Sequence, residues 1–215
     1  TSGTPSEAVA KAFIKRGTPV VLVNRTDYSR DADIVNLDNA EGGRLAAQAF
    51  LTAGKKHLLV VRSKVPSYSS IVRTQGFLQA LVPYIAEGAL TAVEVECESG
   101  SYDGGYQIAQ SILTQAIQPD GIFFCMDHMA CGFLDAAKQE FSLSIPQDMG
   151  VIGFDDIALA SYKAYDLTTI QQSSHTMAQA AVQALQNRLL KPDAKPSQQT
   201  IAPRLIYRKT LPSPR

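Results

Sequence analysis

The stretch Ile145–Gln172, IPQDMGVIGFDDIALASYKAYDLTTIQQ, decides how the chain reads. Within it, Val151-Ile152-Gly153-Phe154 forms a short apolar strand that ends in two carboxylates, Asp155 and Asp156. In an open α/β sheet, ligands sit in the crevice beyond the carboxyl ends of the strands, so a carboxylate at a strand end is placed to meet one. Leu167-Thr168-Thr169-Ile170-Gln171-Gln172 comes next as a β-branched, extended run.

Upstream, the same alternation of strand and helix repeats. Thr4, Pro5 and Glu7 form a capping box, ahead of a helix with an apolar face at Val9, Ala12, Phe13 and Ile14 and a stop at Gly17. Pro19–Val23 is continuously apolar, as in a buried parallel strand, and Asn24-Arg25 ends it. Ile34–Asp38 is a short strand or crossing segment. Asn39 can cap the next helix, whose face is Leu45, Ala46, Ala49 and Phe50. Strands then fall at His57–Val61, Val93–Cys97 and Gly121–Cys125. The helices after them carry Phe77, Leu78 and Leu81, then Tyr106, Ala109 and Ile112, then Met129, Phe133 and Leu134. A polar loop, Ser67 to Ser70, precedes the first of these three. Downstream, Met177, Ala181, Ala184, Leu185 and Leu189 mark a last long helix, and Gln199–Tyr207 an extended tail. Strands alternating with helices imply a parallel sheet with helices on both faces.

Composition narrows the function. A 215-residue chain with 45% hydrophobic and 19% charged residues describes an ordinary globular protein. Lys+Arg 20 against Asp+Glu 20 leaves no basic excess of the kind a nucleic-acid-binding surface shows. No apolar run can span a bilayer, and no signal peptide opens these residues. Three cysteines, Cys97, Cys125 and Cys131, have no metal-type spacing and fit buried thiols in a reducing cytoplasm. No metal or cofactor is expected: there is no GxxxxGK[ST] and no GxGxxG after a strand. His57, His128 and His175 form no Ser/His/Asp or Cys/His arrangement, so the chain is not read as an enzyme.

The stretch Ile145–Gln172 resembles the LacI/GalR (lactose-repressor) family of bacterial transcription regulators. That family's pattern, iPxDv-x-v-v-G-f-D-d and then L-T-T-i-x-Q, is matched at Ile145, Pro146, Asp148, Gly153, Phe154, Asp155, Asp156, Leu167, Thr168, Thr169, Ile170 and Gln172. The resemblance extends from Pro19 to Lys209. It implies two doubly wound parallel-sheet lobes of the type I periplasmic-binding-protein kind, joined by crossing strands, with the ligand in the cleft. On that basis residues 1–36 plus 173–201 form the N-terminal lobe and 37–172 plus 202–215 the C-terminal lobe. The family's helix-turn-helix, hinge helix and first strand–helix–strand unit are not in these residues, so the first lobe is expected to be incomplete.

The resemblance also supplies site residues. Arg73, in the pattern R-x-x-G-[FWY], corresponds to an effector-binding arginine; without the resemblance it reads first as a solvated helix residue. Asp155 is the strongest candidate, a carboxylate accepting from sugar or purine donors. Adjacent carboxylates could suggest glycoside hydrolysis, but neighbours on a strand point to opposite faces. Tyr102 falls where an aromatic ring often packs on effector, Ser69 where a hydroxyl often touches it, and Asn24 and Gln172 at strand ends beside it. Met126 stands where the family has an asparagine that contacts effector, and a thioether cannot replace those hydrogen bonds. The implied protein is the effector-binding and dimerisation core of a cytoplasmic, homodimeric regulator. It binds a small polar metabolite, sugar or nucleoside, and reaches operator DNA through the absent helix-turn-helix. A periplasmic solute-binding receptor of a sugar transporter is the alternative.

Overall fold

The computed structural model describes residues 7–25, 31–65, 67–116 and 118–213. Along the chain they form α1 (Glu7–Lys15), β1 (Val21–Val23), β2 (Asp33–Leu37), α2 (Asn39–Thr52), β3 (His57–Ser63), α3 (Tyr68–Ala86), β4 (Thr91–Cys97) and α4 (Tyr102–Leu113). Beyond these come β5 (Gly121–Phe124), α5 (Asp127–Glu140), β6 (Gly150–Asp155), a 3-10 turn (Ala158–Ser161), β7 (Thr168–Gln171), α6 (Ser174–Leu190), β8 (Gln198–Ile201) and β9 (Arg204–Ile206). The cap expected at Thr4 and Pro5 lies outside the described residues.

The chain divides into two compact units, Thr1–Asp38 with Ser173–Ala202 and Asn39–Gln172 with Pro203–Arg215. The second unit holds a sheet of order β4-β3-β5-β6-β7-β9. Its first five strands are parallel, and β9 runs antiparallel to β7. The order reverses at β3, which pairs with both β4 and β5; in doubly wound sheets this switch point opens a crevice at the strands' carboxyl ends.

Phe123 and Phe124 on β5 show how this sheet is sandwiched, because successive strand residues face opposite sides. Phe123 stacks on Phe77 of α3 with ring centroids 5.2 Å apart, and Phe77 meets Phe50 of α2 edge-on at 6.2 Å. Phe124 packs on Phe133 of α5 at 5.1 Å. All five rings are fully buried, each contributing about 1.5–3 kcal/mol of transfer free energy.

The helices on each face touch backbone to backbone. A Cβ on Gly43 would lie 2.1 Å from the Arg73 carbonyl oxygen, and one on Gly76 2.1 Å from that of Ala40, so α2 and α3 cross through reciprocal glycines. Across the sheet α4 and α5 do the same: a Cβ on Gly105 would lie 1.9 Å from the Met129 oxygen, and one on Gly132 2.0 Å from that of Tyr102.

The first unit has a parallel sheet of order β1-β2-β8, with α6 packed on it. Only Met177 and Ala180 of α6 are buried, while Val182, Leu185, Leu189 and Leu190 are exposed. Val9 and Phe13, expected on an apolar face of α1, are also exposed. The expected tail Gln199–Tyr207 is split: β8 belongs to this unit's sheet and β9 to the other. Among the described residues, no helix is long and apolar enough to cross a membrane.

Candidate functional site

Arg73 and Asp155 meet at the carboxyl ends of β5 and β6. Arg73 sits in the second turn of α3. That helix begins earlier than expected, at Tyr68, because the Ser67 hydroxyl accepts from the Ser70 amide at 3.1 Å; the stretch read as a loop is its cap and first turn. The arginine's Nε donates to Asn39 Oδ1 at 2.8 Å and its Nη1 to the Cys125 carbonyl at 2.8 Å. Its guanidinium carbon lies 3.5 Å from the centroid of the Phe154 ring, in cation–π geometry. Nη1 also stands 3.3 Å from Asp155 Oδ1.

The partners differ in access. The Arg73 side chain is 6% exposed and that of Asp155 26%. The carboxylate is therefore the more accessible member of the pair. Burial pulls the Asp155 carboxyl above its ordinary range, against the Arg73 charge. Burial likewise lowers Arg73, against the charge of Asp155.

Asp155 and Asp156 both have positive φ, 113° and 56°, a region non-glycine residues rarely adopt. Asp156 does not point to the same place: it accepts from Arg208 Nη2 at 2.7 Å and from Gln171 Nε2 at 2.8 Å. The carboxylates split as adjacent residues should, one to the site and one to the frame. The Ile157 amide then donates to Asp127 Oδ2 at 2.9 Å, and Asp127 Oδ1 accepts from the Thr169 hydroxyl at 2.6 Å. Asp127 is fully buried. Burial, helped by the charges of Asp155 and Asp156, pushes its carboxyl up to about 7 against those two hydrogen bonds.

The remaining candidates are spread more widely. Ser69 is half-buried in the first turn of α3, one turn before Arg73. Met126 occupies the N-cap position of α5 without a side-chain cap bond, and its sulfur lies where a Cβ on Gly100 would come within 2.8 Å. Gln172 comes directly after β7, and its amide donates to the Asp155 carbonyl at 3.4 Å. Tyr102 opens α4 behind the Ser101 cap, and its phenol turns to α5, donating to Asp135 Oδ2 at 2.6 Å; Tyr165 donates to the same oxygen at 2.9 Å. The hydrogen bond to Asp135 raises the Tyr102 phenol, and burial, then Asp135, pushes Tyr165 up to about 12. Asn24 lies in the first unit with φ 51°, and its Oδ1 accepts from the Leu37 amide at 3.1 Å. Sequence reasoning passed over Asn39, Phe154, Asp127 and Thr169 as parts of this constellation. Asn39 read as a helix cap, Phe154 as part of an apolar strand and a motif match, Thr169 as a motif match, and Asp127 as a motif match with no role given to it. Cys97, Cys125 and Cys131 are buried free thiols, and among the described residues no group of three His, Cys, Asp or Glu could hold a metal ion.

A doubly wound parallel sheet with polar groups gathered beyond its strands' carboxyl ends is the arrangement in which open α/β domains hold ligands. The chain belongs to the periplasmic binding protein-like domain family, whose model matches residues 47–211. It is 30% identical over 193 residues to the ribose operon repressor of Haemophilus influenzae, aligning over 90% of this chain and 57% of that protein. It is also 30% identical over 210 residues to the HTH-type transcriptional repressor PurR of Escherichia coli, covering 96% of this chain and 60% of that protein. The chain thus spans about three fifths of the length of these relatives. Among solved structures, a LacI family transcriptional regulator from Enterococcus faecium with bound ribose superposes with a TM-score of 0.87 at 27% identity, over 99% of this chain and 77% of that one.

Proposed function

We propose that the chain is the effector-binding part of a cytoplasmic, homodimeric LacI-type transcription regulator, and that its effector is a small polyhydroxylated metabolite, with a pentose the first to try. The observation that carries this reading is the Arg73–Asp155 pair at the carboxyl ends of β5 and β6, with the carboxylate as its accessible member. A carboxylate so held accepts from vicinal hydroxyls without having to be ordered on binding. The ribose bound to the Enterococcus faecium regulator and the name of the Haemophilus influenzae repressor support the choice of pentose. Ser69, Tyr102, Gln172 and Met126 are proposed as further contacts. Operator DNA would be met by a segment outside these residues, and effector would act by binding one conformation of the protein better than another. That the matched curated relatives are repressors favours this reading over a periplasmic receptor.

Calorimetric titration with D-ribose tests the proposal. The expected result is saturable binding that falls at least tenfold in Asp155→Asn, since a hydrogen bond to a charged group is worth about 1.5–3 kcal/mol. Unchanged affinity in that variant would remove Asp155 from the site. An absence of binding to the wild type would remove the pentose.

A further inference from the structure

We infer that Asp127 is a positioning residue that latches the turn carrying Asp155. The role rests on the effector reading above, and nothing in the relatives' names assigns it.

Two consecutive non-glycine residues, Asp155 and Asp156, are held at positive φ. Such conformations persist only where the surroundings over-determine them. Asp156 is fixed by its side chain, through Arg208 and Gln171. Asp155 is paired with Arg73 at 3.3 Å. The next backbone amide in the chain is that of Ile157, and Asp127 accepts from it. The other carboxylate oxygen accepts from Thr169, which pairs with Gly153 across β6 and β7. One side chain from the start of α5 therefore pins the exit of the turn to the strand beside it. The fit is closed: a Cβ on Gly153 would sit 2.1 Å from Asp127 Oδ1, so this strand position admits only glycine while Asp127 holds its place. The carboxyl is fully buried, with one oxygen engaged by the loop and the other by the sheet.

A latch of this kind acts through hydrogen bonds, so a carboxamide should serve. Its oxygen can accept from the Ile157 amide while its nitrogen donates to the Thr169 hydroxyl, which is both donor and acceptor. Alanine can do neither.

The experiment compares Asp127→Ala with Asp127→Asn by amide hydrogen exchange without ligand and by D-ribose titration. In Asp127→Ala, exchange at Ile157 should rise at least tenfold, while Val151 and Ile152 in the same sheet stay protected; ribose affinity should fall at least tenfold. Asp127→Asn should protect Ile157 at least as well as wild type does and keep ribose affinity within about threefold. General destabilisation would instead release all three amides together, and that result overturns the latch. So would Asp127→Ala with normal Ile157 protection or normal ribose affinity, or Asp127→Asn as impaired as Asp127→Ala. If Asp127→Ala does not fold, Thr169→Val, which removes one arm, should give the same local loosening and Thr169→Ser should restore protection; equal behaviour of the two overturns the latch. If wild type does not bind ribose, the pentose reading fails, and Ile157 exchange still decides the latch on its own.

Discussion

Arg73 is buried at a free-energy cost that its surroundings offset only together: the Phe154 face, the Asn39 oxygen, the Cys125 carbonyl and the Asp155 carboxylate. Removing one member of a buried pair leaves the other charge uncompensated, typically at about 3–5 kcal/mol. With Asp155 26% exposed, Arg73→Ala should sit near the lower end in urea denaturation, as well as losing effector. This arginine is thus more than a surface ligand, which its motif did not reveal: R-x-x-G fixes a spacing on a helix, and burial beneath a phenylalanine from a distant strand is a tertiary fact. Asp127 carries the opposite balance of burial and charge. Its folded carboxyl holds a proton up to about 7, against 3.8 ordinarily. A group with a raised folded pKa favours the fold fully below its unfolded value, and that contribution is lost as pH rises through the folded one. Each pH unit between the two is worth about 1.4 kcal/mol. Asp127→Asn keeps the contacts without the charge, so its melting temperature should exceed that of wild type by several degrees at pH 8 and converge on it towards pH 4. Equal melting temperatures at pH 8 would mean that the ionised carboxyl is solvated after all.

The paired helices bring the site residues to one end of the sheet. Arg73 enters α3 opposite Gly43, and Asp127 opens α5, whose Gly132 rests on the Tyr102 carbonyl. Because each crossing is closed by backbone, a methyl group at Gly76 or Gly132 must push a helix away rather than displace a side chain. Such overpacking costs about 1–3 kcal/mol, occasionally more. Gly76→Ala should lower the stability read from urea denaturation by that amount and also weaken ribose binding, since it tilts the helix that carries Arg73. Gly105→Ala should lower it with less effect on binding, because α4 carries neither member of the charged pair. The sequence showed where most of these helices lie, since their apolar positions recur at helical spacing. Reciprocal glycines such as Gly43 with Gly76 and Gly105 with Gly132 emerge only when two helices are brought together. Ser67–Ser70 misled for a related reason: a run of hydroxyl residues reads as a loop until one hydroxyl is seen capping the helix that the others belong to.

Each unit is assembled from two separate segments of the chain, and in the first unit one carboxylate does much of the joining. Asp33 of β2 accepts from Arg188 Nε of α6 at 2.8 Å, and from the backbone amide and hydroxyl of Ser197, each at 2.7 Å, just ahead of β8. Arg188 in turn donates to the carbonyls of Pro192 and Ala194. The alternation of strands and helices, legible in the sequence, announces a doubly wound fold; it cannot say that Asp33 will meet residues more than 150 positions away. Burial raises the Asp33 carboxyl, but these hydrogen bonds and the Arg188 charge outweigh it and leave it below its ordinary range. Stability from this group is therefore complete above the unfolded value of 3.8 and is lost as pH falls through the lowered one, the reverse of Asp127. Asp33→Ala removes that contribution at neutral pH and leaves Arg188 without its carboxylate, at a cost of about 3 kcal/mol. Hydrogen exchange should then show the amides of β2 and β8 opening at least tenfold faster, with those of β5 and β6 unchanged. Equal acceleration in all four strands would show instead that the two units unfold as one, and that Asp33 stabilises the whole chain rather than the unit it ties together.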